Sequence, residues 1–185
     1  MAKSCDPERN AAFKTAFNDL LDGPGDVIFQ DESHFSNGLL PLYGYSRVGQ
    51  PFHVVEKISD RSAHTLLLAF SKSGQVFHKV YKGSVNTARM QWFVDALPNA
   101  PIVMDNHVVH KKTVVANAVF TPVAQPYANP VEIIFSKVKN AFRTINATRP
   151  WDKVEDKIDA AVASLVETDL WAAMEHVRRY VNATY

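Results

Sequence analysis

The spacing of apolar positions divides the chain into alternating helix and strand signals. Ala11, Phe13, Phe17, Leu20 and Leu21 recur at roughly helical spacing over residues 7–21, closed by the breaker DGPGD at 22–26. A short apolar run, VIFQD, then predicts a buried strand that ends at Asp31. Residues 34–52 hold several Gly and Pro among aromatics and read as a hairpin-like excursion with turns. HTLLLAF (64–70) and QVFHKVY (75–81) are β-rich runs joined by SKSG, a hairpin by its turn residues. Residues 86–97 fit an amphipathic helix, with Met90, Phe93 and Leu97 on one face and Asn86 as its N-cap.

APIVMD predicts a further short strand ending at Asp105. Residues 107–117 read as helical, against the preference of their β-branched valines, and AVFTPVA as the last strand. From Asn129 the helical period runs almost to the C-terminus in three stripes. The first is Val131, Ile134, Phe135, Val138, Phe142 and Ile145; the second is Trp151, Val154, Ile158, Val162 and Leu165. Leu170, Trp171, Met174, Val177 and Val181 form the third. This order predicts a mixed α/β sheet with helices packed on it. Acidic residues at strand ends would then share one rim, where open α/β sheets place their sites.

Composition narrows this only a little. The 185 residues suit one domain with a substantial core, and 46% hydrophobic with 21% charged residues is ordinary for a globular protein. Twenty basic against nineteen acidic residues leave a net charge of +1, so any basic surface must be local. The single Cys5 forms no internal disulfide and no cysteine cluster points to structural zinc. Apolar stretches are too short to span a membrane and the N-terminus has no signal core, which leads to the expectation of an intracellular protein.

The candidate chemistry lies in three carboxylates delivered by separate stretches of chain. Asp31 closes a strand, where a turn carboxylate is also common. Glu32 is expected to point to the opposite face from Asp31 and so to be a poor ligand. Asp105 opens DNHVVH, where an N-cap or Asx turn is compatible with a role in a site. Asn106, His107 and His110 follow; His107 and His110 are three apart, a weak zinc pattern. Glu132 stands third in a helix start with Asn129 as N-cap and Pro130 at the first helical position, an arrangement that accounts for it without chemistry. Lys111, Lys112, Lys137, Lys139 and Arg143 are the cations near these acids, on what is otherwise a solvated face. No GxSxG, GxxxxGK[ST] or GxGxxG motif is present.

Five segments, in order, resemble the DDE catalytic domain of the IS630/Tc1/mariner transposases. They are DESHFS (31–36), YGYSRVGQP (43–51), KGSVNTARMQWFVDAL (82–97), MDNHVVHKK (104–112) and PYANPVEIIFSKVK (126–139). The resemblance implies a ribonuclease H-like α/β fold, a mixed central sheet with helices on both faces. Asp31 matches the family's first acid, Asp105 the second and Glu132 the third, with His110 at the histidine position. It implies that these three acids are catalytic and hold two Mg²⁺ (or Mn²⁺) ions, with Asn106 and His110 orienting. It also implies an enzyme that cuts DNA and joins the freed 3′-hydroxyl to a target, with transposon ends and target DNA as partners and a homodimer in assembly. No membrane or small-molecule substrate is implied. Localisation would be nuclear in a eukaryote and cytoplasmic in a bacterium.

The expected organisation is one catalytic domain over 1–185: a lead-in helix over 1–25, a core over 26–145 with a clamp-like excursion at 34–52, and C-terminal helices over 146–185. No helix-turn-helix region is seen, so the chain reads as an excised domain or a derivative without its DNA-reading part. Two departures stand out. Twenty-six residues separate Asp105 from Glu132, fewer than is common in relatives, and the loop before Asn129 is cut to PYANP. A catalytically weak captured domain that binds DNA or protein is the competing reading, and a two-metal phosphoesterase acting on another substrate is a third.

Overall fold

A computed structural model describes residues 6–40, 46–51, 62–123 and 125–185. The elements are α1 (Pro7–Asp22), β1 (Ile28–Phe35), β2 (His64–Ser71), β3 (Val76–Lys82), α2 (Thr87–Asp95), β4 (Ile102–Met104), α3 (Val108–Lys112), β5 (Ala118–Phe120), α4 (Val131–Thr148), α5 (Val154–Val162) and α6 (Glu167–Thr184). A single 3₁₀ turn at Pro126–Ala128 precedes α4. The sheet has five strands in the order β3-β2-β1-β4-β5. β1, β2 and β3 form an antiparallel meander, while β4 and β5 run parallel to β1. This is a mixed sheet flanked by helices, the ribonuclease H-like arrangement expected from the sequence.

Local chemistry explains most of the elements. Asp6 accepts from the Glu8 and Arg9 amides to start α1, with Pro7 at the first helical position. Asn86 caps α2 by accepting from Arg89 N at 3.0 Å, as the sequence predicts. The SKSG turn closes the β2–β3 hairpin with Gly74 at φ +93°, a left-handed conformation that favours glycine. Side chains alternate across the sheet and build two cores. Phe29, Phe35, Leu66, Leu68 and Phe70 pack with Phe17 of α1, Ile134, Phe135 and Phe142 of α4, Ile158 of α5 and Val177 of α6. Ile28, Leu67, Ala69, Ile102 and Met104 pack on the other face against Met90, Phe93 and Val94 of α2. Helices therefore cover both faces.

Four expectations shift. β1 does not end at Asp31 but runs on to Phe35, because β2 supplies antiparallel partners along its whole length. The helix after Asp105 spans only Val108–Lys112; beyond it Val114 is 80% exposed, and β-branched valines gain little from a helix with no core to pack on. β5 is three residues rather than the full AVFTPVA run. Trp151 and Trp171, assigned to apolar stripes, are exposed. The excursion at 34–52 begins inside β1, and residues 41–45 and 52 of it fall outside the described residues. No described helix is long and apolar enough to cross a membrane.

Candidate metal centre at a strand notch

The site begins with a length mismatch between two strands. β1 pairs with β4 only at Ile28↔Ile102 and Phe29↔Val103, and β4 ends at Met104. Beyond Phe29 the β4 side of β1 has no strand beside it. Its exposed main-chain groups are taken up by side chains instead. Asn129 Nδ2 donates to Gln30 O at 3.1 Å, and Glu32 N donates to Asp31 Oδ1 at 2.8 Å. The same Asn129 accepts from Val131 N at 3.3 Å, so it ties the first turn of α4 to the residue before Asp31.

Asp105 leaves β4 at the level of this notch. Its carboxylate accepts from His107 N at 3.0 Å, the Asx turn that opens α3. α3 in turn carries His110 back into the notch. His110 is fully buried, with Nε2 2.7 Å from Glu32 Oε2 and Nδ1 paired with Asp105 Oδ1 and 3.2 Å from its carbonyl oxygen. Asp31, Glu32 and His110 each present a donor atom within 4.8 Å of the others, a cluster that could hold a divalent cation.

Electrostatics sort these groups sharply. Burial, reinforced by the Asp105 charge, pushes the Asp31 carboxyl up to about 8. Burial opposes a charge on His110, but the Asp105 and Glu32 carboxylates outweigh it and push the ring up to about 10. Asp105 feels burial too, yet its hydrogen bond to His110 prevails and holds it below the usual carboxylate range. Glu132 is raised by burial and by the Asp105 charge, with Lys139 opposing. Asp105 thus acts on Asp31 and Glu132 alike, while the close cluster itself is Asp31, Glu32 and His110.

Glu132 does not cap its own helix: among the described residues its carboxylate accepts no hydrogen bond, and the helix start is capped by Asn129 alone. Glu32, discounted from sequence, sits in the cluster. Both faces of β1 open onto the notch where β4 stops, so the usual alternation does not separate it from Asp31. No sequence signal reveals where β4 stops. Asn106 borders shallow grooves beside the site, and its Oδ1 is buried without a partner among the described residues. Lys111 and Lys112 are exposed at the end of α3. Lys139 lies near Glu132 and over the Phe35 ring at 5.9 Å. Lys137 is committed to Asp169 of α6 at 2.5 Å, and Arg143 Nη1 donates to Asn140 Oδ1 at 2.9 Å.

With the geometry in place, residues 26–156 match the sequence profile described as DDE superfamily endonuclease. The chain belongs to that family. Among solved structures it is similar to the mariner Mos1 paired end complex with Mg (TM-score 0.67, 15% identity). It is also similar to the Mos1 strand transfer complex (0.65, 16%) and a pre-cleavage Mos1 transpososome (0.63, 15%). Each match covers 97% of this chain but only 61–62% of the other, so the chain spans about three fifths of those proteins. At these identities the likeness establishes the fold. No curated protein matches the chain in sequence.

Proposed function

We propose that this chain is a metal-dependent DNA-cutting and strand-joining domain of a transposase, with Asp31, Asp105 and Glu132 as its catalytic acids. The observation that carries the reading is geometric: Asp31, Glu32 and His110 present donor atoms within 4.8 Å of one another, and His110 is paired with Asp105. A carboxylate that repels two others, one of which keeps its proton near neutral pH, belongs to an oxygen donor set suited to hard divalent cations such as Mg²⁺ or Mn²⁺. Two such ions, when bound, would activate a water or 3′-hydroxyl and stabilise the departing oxygen.

The chain's own residues have distinct tasks in this reading. Glu32 N–H donates to the Asp31 carboxyl at the notch, and Asp31 would hold a cation in its deprotonated form. His110, charged and held on both nitrogens, is an orienting residue: it fixes Asp105 and Glu32 and balances their charge. That engagement makes it a poorer ligand than its place in the cluster implies. Asn106 offers an unpaired amide oxygen beside the site for orienting substrate. Lys111, Lys112, Lys139 and Arg143 are available to a phosphate backbone, whereas Lys137 would first have to leave Asp169.

The likeness to Mos1 complexes supports transposon ends and target DNA as substrates and a homodimer in assembly. It also supports reading 1–185 as one catalytic domain, in which α1 and α6 share the core of the sheet.

The test is nicking of supercoiled plasmid by the purified chain in Mg²⁺ or Mn²⁺. Asp105→Asn and Glu132→Gln should each lower the rate at least about a hundredfold. Equal nicking by wild type and Asp105→Asn would overturn the proposal, as would metal-independent nicking.

A further inference from the structure

Beyond α2, on the sheet face that carries Glu32, lies a second basic surface, a stripe: we infer that Lys79 and Tyr81 of β3, with Arg89 and Trp92 of α2, receive the phosphate backbone of the duplex flanking the cut. The inference rests on the carboxylate rim being a DNA-cutting site, and it adds a surface outside that rim.

Strand register places the stripe. Glu32 pairs with Leu67, and Leu67 pairs with Lys79. Directly paired residues share a face, so Lys79 stands in one row with Glu32, two strand spacings or about 10 Å away, with Leu67 between them buried beneath α2. The next row holds His34, Thr65 and Tyr81 in the same way, with exposed His34 hydrogen-bonded to Thr65 Oγ1 at 3.1 Å. About 10 Å along a duplex is roughly three base pairs.

The two cations are built rather than merely present. The Arg89 guanidinium lies 4.9 Å from the Tyr81 ring centre and donates through Nη1 to Ser84 O at 3.0 Å. The Lys79 ammonium sits 5.6 Å from the ring centre of Trp92, which is itself exposed. Neither cation is paired with a carboxylate among the described residues. Edge strands often carry a lysine to deter pairing, which accounts for Lys79 alone. It does not account for an arginine stacked on a tyrosine or for an exposed tryptophan beneath the lysine. Pre-oriented cations with open donors on a chain of net charge +1 are the local basic surface that a polyanion needs.

The experiment measures binding of the full chain to a fluorescein-labelled random duplex by anisotropy, without divalent metal, over a range of KCl concentrations. The pair Lys79→Gln with Arg89→Gln should lower the slope of log K against log salt by about 1.8, two phosphate contacts' worth. The charge-retaining pair Lys79→Arg with Arg89→Lys should keep the wild-type slope, which separates loss of charge from loss of fold. Exposed cations elsewhere, Lys153→Gln with Arg179→Gln, should leave the slope unchanged. An unchanged slope in Lys79→Gln with Arg89→Gln, an equal drop in the Lys153/Arg179 control, or no wild-type binding at all would overturn the stripe. Competition by polyglutamate as strong as by duplex would overturn it too, in favour of an acidic protein partner. Nicking on the same preparations keeps the two ideas apart. Metal-dependent nicking with an unchanged slope overturns the stripe alone, whereas a lowered slope without nicking overturns the catalytic reading, and with it the place of the stripe beside a cut, and supports only a duplex-binding surface.

Discussion

His110 Nε2 lies 2.7 Å from Glu32 Oε2, on a ring that no solvent reaches. An imidazole charged by two carboxylates behaves as a cation built into the fold, standing among acids that would otherwise repel one another. Removing one partner of a buried pair is costly because the other is stranded.

His110→Ala should therefore destabilise the metal-free chain by about 2–3 kcal/mol, at the low end for such pairs because Glu32 and Asp105 keep some access to water. Urea unfolding measures this. Mg²⁺ should recover more stability in His110→Ala than in wild type, since the cation takes over the missing charge. A variant as stable as wild type would show that the pair is not formed in solution.

The pH dependence follows from the same groups. Asp31 titrates at about 8 in the folded chain against an ordinary 3.8, so between those values the folded state holds a proton the unfolded state has lost. That contribution is fully present below about pH 4 and is lost as pH rises through about 8. His110, raised to about 10 from 6.5, works in the same sense: its contribution is full below 6.5 and is lost as pH rises through about 10. Without metal, the melting temperature should fall from mildly acidic to mildly alkaline pH, and Asp31→Asn should flatten the curve. Added Mg²⁺ should raise the melting temperature more on the alkaline side, where no proton must be expelled. A Mg²⁺ effect larger at acidic pH would contradict the assignment.

Asn129 joins α4 to β1 through Gln30 O and Val131 N. Asn129→Ala leaves a buried carbonyl and a helix start unsatisfied, and should cost about 1–3 kcal/mol by urea unfolding. Inserting two glycines between Pro122 and Val123 should cost less than about 1 kcal/mol and preserve nicking, because loop closure depends weakly on length. Nicking lost on insertion but kept in Asn129→Ala would show that the loop, not the amide, sets the place of Glu132.

Lys157 is 1% exposed and donates to Asn37 Oδ1, Asn146 Oδ1 and Pro150 O at 3.1, 2.8 and 3.3 Å. Asn146 also donates to Asn37 O and Leu39 O, so α4, α5 and the chain leaving β1 meet there. Asn146→Leu, which takes the shortest of three acceptors from that buried ammonium, should lose about 2–3 kcal/mol, more than Lys157→Met, which removes it. The opposite order would mean that water satisfies Lys157 when Asn146 is gone.

The sequence was informative where its own period sets the structure. Helical stripes around Phe13, Met90 and Phe142, and the SKSG hairpin, appear as predicted because each is decided locally. Asp31, which the structure places in the cluster, stands out in motif and strand signals alone. Glu32 does not, since its part in the cluster depends on where β4 stops relative to β1, a non-local fact. Asn129 caps the start of α4 as expected, but its amide also reaches Gln30 O, a contact with β1 that the local sequence does not encode. Exposure of Trp151 and Trp171 likewise depends on which helix faces meet, and a stripe of apolar letters does not encode that.

The early end of β4 has one more consequence, for how inactive variants should be built. Past Phe29 the free edge of β1 is closed by Asn129 and by the Asp31 carboxylate, so Asp31 is part of the sheet as well as of the site. Truncating it to alanine would open a main-chain edge in the interior and confuse loss of chemistry with loss of structure. Asparagine keeps the oxygen that receives Glu32 N–H. Asp105 also serves the backbone, through the Asx turn at His107, whereas Glu132 has no such second duty. It is the one acid of the three whose removal would report on chemistry alone.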